Sequence, residues 1–249
     1  MRTGISIAIL TGVLALTAPV TCWGQAAAPA AAPAPQAAVL EATRLYKEAL
    51  EEYRAGRFAA AEPRFRKAMG ILRDVKGADH PDTLTAMTGL VRSLDELGRI
   101  AEAEVLQRAL WMARVRVNGP DDQTTLNAES NLAGMLLHLG RPAEAEPILR
   151  RLVEVRTRLE GPDERGVLVA RSNLASALED LGRTAEALTL MRAVMDDTTR
   201  IMGSEHRDTL TAVNNFALRL LAGGQTKEAE VLLRRNWEIQ RRIAGDTNV

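Results

Sequence analysis

The sequence predicts an all-α fold, a solenoid of five helix pairs that repeat every 42 residues. Leucine keeps this interval at Leu84, Leu126, Leu168 and Leu210. Two glycine series share it: Gly56, Gly98, Gly140, Gly182 and Gly224, and Gly77, Gly119, Gly161, Gly203 and Gly245. Independent series with one spacing indicate stacked copies of a single supersecondary unit rather than a globule with one central site.

The first 25 residues are predicted to be a signal peptide. An uncharged apolar run over residues 5–18 follows Arg2. It is about as long as a signal-peptide core and short for a membrane span, which needs roughly 20 residues. Cys22-Trp23-Gly24 is a small-x-small triplet suited to signal peptidase. We therefore expect an exported protein, periplasmic or secreted. Two alternatives stay open, an uncleaved N-terminal membrane anchor and a lipoprotein acylated at Cys22.

Residues 26–38 contain only alanine, proline and one glutamine, a composition that favours an extended spacer. The repeat domain is then expected over residues 39–245, with a short tail at 246–249. The chain has 32 basic and 32 acidic residues. This balance, without a basic tract that carries aromatic residues, argues against nucleic acid as a partner and gives no general attraction to anionic lipid. No membrane insertion of the mature domain is expected.

Each period holds two amphipathic segments, which in the third period cover residues 123–139 and 142–159. Their apolar residues recur at helical spacing, so both are predicted to be helices. Pro81 and Pro142 suit first helical positions, and glycine suits the helix ends. One such pair buries too little apolar surface to offset the ordering entropy of its backbone, about 1–2 kcal/mol per residue. The pairs must therefore stack.

A recurring motif places Glu-Ala four residues after glycine, as at Gly98, Gly140, Gly182 and Gly224. It resembles the tetratricopeptide repeat. The Gly-Ala-Asp-His-Pro-Asp-Thr-Leu segment at 77–84 and the long period resemble the kinesin-light-chain subtype. The resemblance covers residues 39–245 and implies a right-handed superhelix whose first helices line a concave, peptide-binding groove. The signal segment indicates an exported bacterial member rather than a subunit of a cytosolic motor.

An asparagine column is the best candidate for binding chemistry. Asn131, Asn173 and Asn215 are equivalent in three successive repeats, whereas Lys47 and Gly89 stand there in the first two. A row of carboxamides can pair with the backbone of an extended peptide without reading its side chains. In the alternative, compatible reading each asparagine bonds to the neighbouring helix and orders the stack. The other residues expected on the same wall are Arg92, Asn127, Ser130, Arg171, Ser172 and Asn214.

Arg92 and Arg171 are open to two readings. Either they hold a ligand carboxylate as bidentate pairs, or they are solvated or paired with nearby acids. The carboxylate-clamp residues of related tetratricopeptide domains are not reproduced here, so that clamp is not predicted.

No catalytic or metal site and no cofactor is expected. His80 and His206 are equivalent positions three periods apart, which favours helix capping, and His138 near Asp180 lacks a third ligand. The predicted function is therefore a non-enzymatic scaffold for an extended peptide of a partner protein. The alternative is a self-assembling module that oligomerises through its terminal helices, with Trp237 at the contact. Asn236 replaces an aliphatic residue of the earlier repeats and is expected to face solvent.

Overall fold

The computed structural model describes residues 35–246, which form ten α-helices and contain no strand. The helices are α1 (Pro35–Arg54), α2 (Phe58–Lys76), α3 (Pro81–Glu96), α4 (Ile100–Asn118), α5 (Gln123–His138), α6 (Pro142–Glu160), α7 (Arg165–Asp180), α8 (Thr184–Met202), α9 (Arg207–Ala222) and α10 (Thr226–Asp246). Each helix packs on the next, and α5 also contacts α7. The predicted all-α solenoid of five helix pairs is confirmed. None of these ten helices is long and apolar enough to cross a bilayer.

The repeat domain begins earlier than the sequence predicts. Helix α1 starts at Pro35, within the predicted spacer, and Ala38 and Ala42 are buried. Proline is tolerated at the first helical position and alanine is the best helix former, so this segment joins the first pair. The predicted signal peptide and the rest of the spacer lie outside the described residues.

The glycine series mark the turns of the solenoid. The first series, which follows the first helix of each pair, has φ between 67° and 78°. Gly77, Gly119, Gly161 and Gly203 close the second helices with φ between 87° and 100°. Only glycine enters this left-handed region without steric cost, which explains both series. Gly245 is an exception to the prediction that glycine ends each helix, because α10 continues through it to Asp246.

Side-chain caps start the first helices of three pairs. The Nδ1 atoms of His80 and His206 each accept a hydrogen bond at 3.1 Å from a backbone N–H, that of Asp82 and Asp208 respectively. These bonds confirm the capping role predicted for both histidines. In the third pair Asp122 takes this position and accepts from two backbone N–H groups of α5.

Apolar residues from successive helices share one core along the stack. In the middle of the solenoid Leu126, Leu132 and Leu136 of α5 pack with Leu149 and Leu152 of α6, and all five are fully buried. The same cluster includes residues of α7 and α8. A helix pair therefore completes the burial of its apolar residues only by packing against the neighbouring pairs. This is expected for a repeat protein, in which a single pair is not stable alone.

Two ladders of ion pairs follow the 42-residue period on the surface. One joins successive second helices through the pairs Arg66–Glu102, Arg108–Glu144, Arg150–Glu186 and Arg192–Glu228. The other joins each later second helix to an earlier turn through Arg116–Asp79, Arg158–Asp121, Arg200–Asp163 and Arg242–Glu205. The hydrogen bond from Arg66 lowers the pKa of Glu102. Exposed pairs add little stability each, so the ladders accompany the packing of the repeats rather than hold the stack together.

The C-terminal pair corrects one expectation and leaves another open. Asn236 is only 3% exposed, and its Nδ2 donates to the Leu210 carbonyl at 3.0 Å and to Asn214 Oδ1 at 2.7 Å. The prediction that it faces solvent is wrong, because its amide nitrogen bonds to Asn214 and to the Leu210 carbonyl where earlier repeats pack an aliphatic side chain, although its Oδ1 atom has no hydrogen-bond partner among the described residues. Its neighbour Trp237 is 58% exposed.

Gly89 is predicted to be essential for packing, with Gly134 as its matched control. A Cβ atom at Gly89 would lie 2.5 Å from Cε1 of Phe65, which is 1% exposed, whereas a Cβ at Gly134 meets no atom within 4 Å. Both glycines lie inside first helices. We expect Gly134→Ala to stabilise the protein by up to about 1 kcal/mol through helix propensity. Gly89→Ala should destabilise it by about 1–3 kcal/mol through overpacking. Urea unfolding measures both, and equal stability of the two variants would contradict the packing.

Candidate functional site

A cavity of about 890 Å³ runs along the first helices of the stack. We call it the groove, and the residues that line it include Tyr53 of α1, Arg92 of α3, Asn131 and His138 of α5, Asn173 of α7 and Arg219 of α9. The second helix α4 contributes Gln107, Leu110 and Arg114. The groove is thus built mainly from the first helices, and α4 is the second helix that contributes to it.

The asparagine column divides between the groove and a neighbouring cavity. Asn131 and Asn173 line the groove, whereas Asn215 and Ser172 line a cavity of about 200 Å³. Val169 lines both cavities, which are therefore adjacent. None of the three asparagine side chains makes a hydrogen bond to another residue in the described part of the chain. Their carboxamides are exposed or half-buried, and free to pair with a ligand.

Three further predicted residues line the groove with Asn131 and Asn173. Arg92 is exposed and has neither an ion pair nor a hydrogen bond to a residue within 35–246. Asn127 and Ser130 line both the groove and a cavity of about 640 Å³ beside it. The Oδ1 atom of Asn127 accepts a hydrogen bond from Arg156 at 2.8 Å, so this amide is already engaged.

Arg171 and Asn214 face the second helices instead. Arg171 lies 3.0 Å from the Asp197 carboxylate of α8, so pairing with a nearby acid accounts for it. The side chain of Asn214 is held by Asn236 of α10. Neither residue lines the groove. Their partners lie 26 and 22 positions away, on helices that the sequence pattern does not connect to them.

Arg114 is one of several groove residues that sequence reasoning missed, with Tyr53, Gln107 and Arg219 among the others. Arg114 belongs to a second helix, yet its guanidinium donates to the Thr88 hydroxyl of α3 at 3.2 Å and to the Thr124 carbonyl at 2.8 Å. Its column reads Leu72, Arg114, Arg156 and Thr198. The sequence signal that could have found it is the change from leucine to arginine within one column. A cation at a partly buried position needs polar partners, so such a change indicates a polar environment.

The groove holds charges of both signs but no metal centre. Burial raises the pKa of Tyr53, whose hydroxyl donates to Glu96 at 3.5 Å. Arg219 pairs with Glu179 at 2.6 Å near the other end. Within residues 35–246 no group of three or more histidine, cysteine, aspartate or glutamate side chains is placed to hold a metal ion. The arrangement suits the binding of a polar chain.

A stack of helix pairs with a polar groove along its first helices defines a helical-repeat binding scaffold. The tetratricopeptide repeat profile matches residues 48–110, 124–196 and 166–241. The chain therefore belongs to the tetratricopeptide repeat family, whose fold is a scaffold for protein–protein interaction.

Solved structures share this fold at low sequence identity. A Podosopora anserina putative kinesin light chain with nearly identical TPR-like repeats is 21% identical, with a TM-score of 0.71 over 85% of this chain and 99% of that one. BtubC (BKLC) from P. vanneervenii is 17% identical, with a TM-score of 0.66 over 86% and 94%. YrrB, described as a TPR protein with an unusual peptide-binding site, is 19% identical, with a TM-score of 0.54 over 84% and 93%.

At the level of the fold, the predicted resemblance to kinesin-light-chain-type repeats is confirmed. No protein of curated function matches the chain.

Proposed function

We propose that the chain is a non-enzymatic scaffold that binds an extended segment of a partner protein in the groove. The observation that carries this proposal is the set of column amides, Asn131, Asn173 and Asn215, which have no hydrogen-bond partner among the described residues. A buried structural amide would be paired within the stack. Amides that are left free along one wall are available to a ligand.

The spacing of the column suits an extended backbone. Packed helices lie about 8–10 Å apart, and the first helices α5 and α7 contact each other directly. An extended chain advances about 3.3 Å per residue, so the amides of Asn131 on α5 and Asn173 on α7 would meet the ligand backbone about three residues apart. Each carboxamide offers two donors and an acceptor, which matches the alternating groups of a peptide. YrrB, of the same fold, is described by its peptide-binding site, which supports this assignment.

Replacement of the three column asparagines by alanine is expected to weaken peptide binding without lowering stability. Three lost hydrogen bonds of about 0.5–1.5 kcal/mol each correspond to at least about a tenfold loss of affinity. The probes are peptides selected on the wild type from a random library long enough to cross three repeats. Fluorescence anisotropy measures binding, and thermal unfolding measures stability.

A matched control replaces Glu154, Thr189 and Glu238 by alanine, because these exposed residues lie on second helices outside the groove. It should bind as the wild type does. If the asparagine variant binds peptides normally but unfolds at a lower temperature, the amides order the stack and the proposal is wrong.

We also propose that the scaffold acts outside the cytoplasm. The support is the sequence of residues 1–25, with its apolar core and small-x-small triplet. Expression in a bacterial host should therefore give a protein whose intact mass corresponds to a chain that starts near Ala26. A membrane-bound product that retains residues 1–25 would instead establish an anchor, and a mass increased by acyl chains on Cys22 would establish a lipoprotein.

Self-assembly through the terminal helices is a second candidate, favoured by Trp237. In the inner repeats the equivalent residues Met69, Trp111, Val153 and Met195 are half-buried against their neighbours, whereas Trp237 is 58% exposed. Light scattering should then show concentration-dependent oligomers that Trp237→Ala abolishes. A wild type that stays monomeric across the concentration range excludes this candidate.

A further inference from the structure

The outer face of α1 is charged where the other first helices are apolar. In the later first helices, two columns of residues pack against the preceding pair. In α1 the same two positions hold Arg44 and Glu48, which pair with each other at 2.6 Å. Helix α1 therefore covers its end of the stack with polar side chains, as a capping helix does. The buried residues of the two columns are Ala86, Ala128, Ala170 and Ala212, and Leu90, Leu132, Leu174 and Phe216.

Helix α10, at the opposite end, keeps an apolar outer face. The Phe65 ring packs beneath Gly89 of the following first helix, and the residues of its column in α4, α6 and α8 are buried. In α10 this column ends with Leu233, which is only half-buried, and the adjacent Trp237 is 58% exposed. Within residues 35–246 no first helix follows α10. Both apolar side chains thus lack the cover that their equivalents have.

These residues of α10 follow one another at coiled-coil spacing. Glu230, Leu233, Trp237 and Gln240 are separated by intervals of three, four and three residues, which places them on one face of the helix. Arg241 extends this face, and its Cζ atom lies 5.4 Å from the centre of the Trp237 ring. We call these five residues the seam. It is acidic at its start, apolar in its middle and basic at its end.

This order of residues is self-complementary. When two copies of α10 run antiparallel about a two-fold axis at the level of residue 235, Leu233 of each copy meets Trp237 of the other copy. Glu230 then lies beside Arg241 of the other copy, whereas a parallel arrangement would place like charges together. The Glu230 carboxylate is accessible, because its pair with Arg234 at 2.8 Å leaves both side chains more than half exposed.

Helix α1 does not offer a matching surface for the seam. A head-to-tail contact would press Leu233 and Trp237 against Arg44 and Glu48, and it would remove that ion pair from water. A contact between two α10 helices places apolar side chains against apolar side chains. It also uses the same surface in both copies, so the assembly closes at two.

We propose that two copies of the chain form a closed, two-fold dimer through the seams of their α10 helices. This inference rests on the self-assembly candidate of the proposed function and deepens it. It is independent of peptide binding, because no described residue of α10 lines the groove. The dimer carries two grooves, so it can bind a partner protein at two points.

Charge reversal within the seam tests the geometry of the dimer. Glu230→Arg and Arg241→Glu should each weaken dimerisation at least about tenfold, because each creates two like-charge contacts across the axis. A chain with both substitutions should dimerise again. An equimolar mixture of the two single variants should form a heterodimer, since each chain then supplies the charge that the other lacks. Sedimentation velocity up to high micromolar concentration measures the mass, because contacts between two single helices are small interfaces.

Two further variants serve as controls. Glu238→Arg reverses an exposed charge of α10 that lies off the seam, so it should dimerise as the wild type does. Arg44→Glu alters the outer face of α1 and should also leave the dimer intact. All of these substitutions are at exposed positions, and thermal unfolding followed by circular dichroism verifies that each variant is folded.

We expect the mass of the wild type to rise with concentration to that of two copies and no further. A chain that stays monomeric overturns this inference together with the self-assembly candidate, and leaves the groove assignment untouched. Oligomers that grow beyond two copies, or that Arg44→Glu disrupts, would preserve self-assembly but overturn the two-fold contact. Dimers that the two charge reversals do not weaken, or that their combination does not restore, would overturn it as well.

Discussion

The shared apolar core between successive helix pairs is the interaction on which the rest of the structure depends. No single pair buries both faces of its helices, so each first helix is held at a fixed distance from the next by the packing of its neighbours. This fixed distance turns a sequence column into a row of side chains in space. The amide row and the ion-pair ladders both follow from it.

Much of the fold could be predicted from the sequence because each repeat has the same conformational requirements, so the residues that meet them recur at the same interval. The turns at Gly140 and Gly182 need a left-handed residue, and the caps at His80 and His206 need a side-chain acceptor. Columns also place Asn131 and Asn173 on one wall, since the first helices carry them in register. The start of α1 was less visible, because alanine and proline suit both a spacer and a first helical turn.

The remaining features of the fold and the site depend on contacts between residues of different columns. The pattern within a single sequence column does not reveal such contacts. Asn236 is buried because Asn214 faces it, and Arg171 turns from the groove because Asp197 stands opposite on α8. Arg114 reaches the groove from the second-helix layer, where a long side chain and the threonine hydroxyl of α3 allow it. Each case requires knowledge of which two helix faces meet and of the lengths of both side chains.

The packing of Phe65 beneath Gly89 has a consequence for how a ligand is oriented. The ring leaves no room for a side chain at Gly89, so the row of amides begins only at Asn131, and aromatic and cationic groups fill the α1 end instead. The two ends of the trough are chemically unlike. A polypeptide bound along the trough as we propose would therefore have one energetically favoured direction, and the solenoid would distinguish a sequence from its reversal.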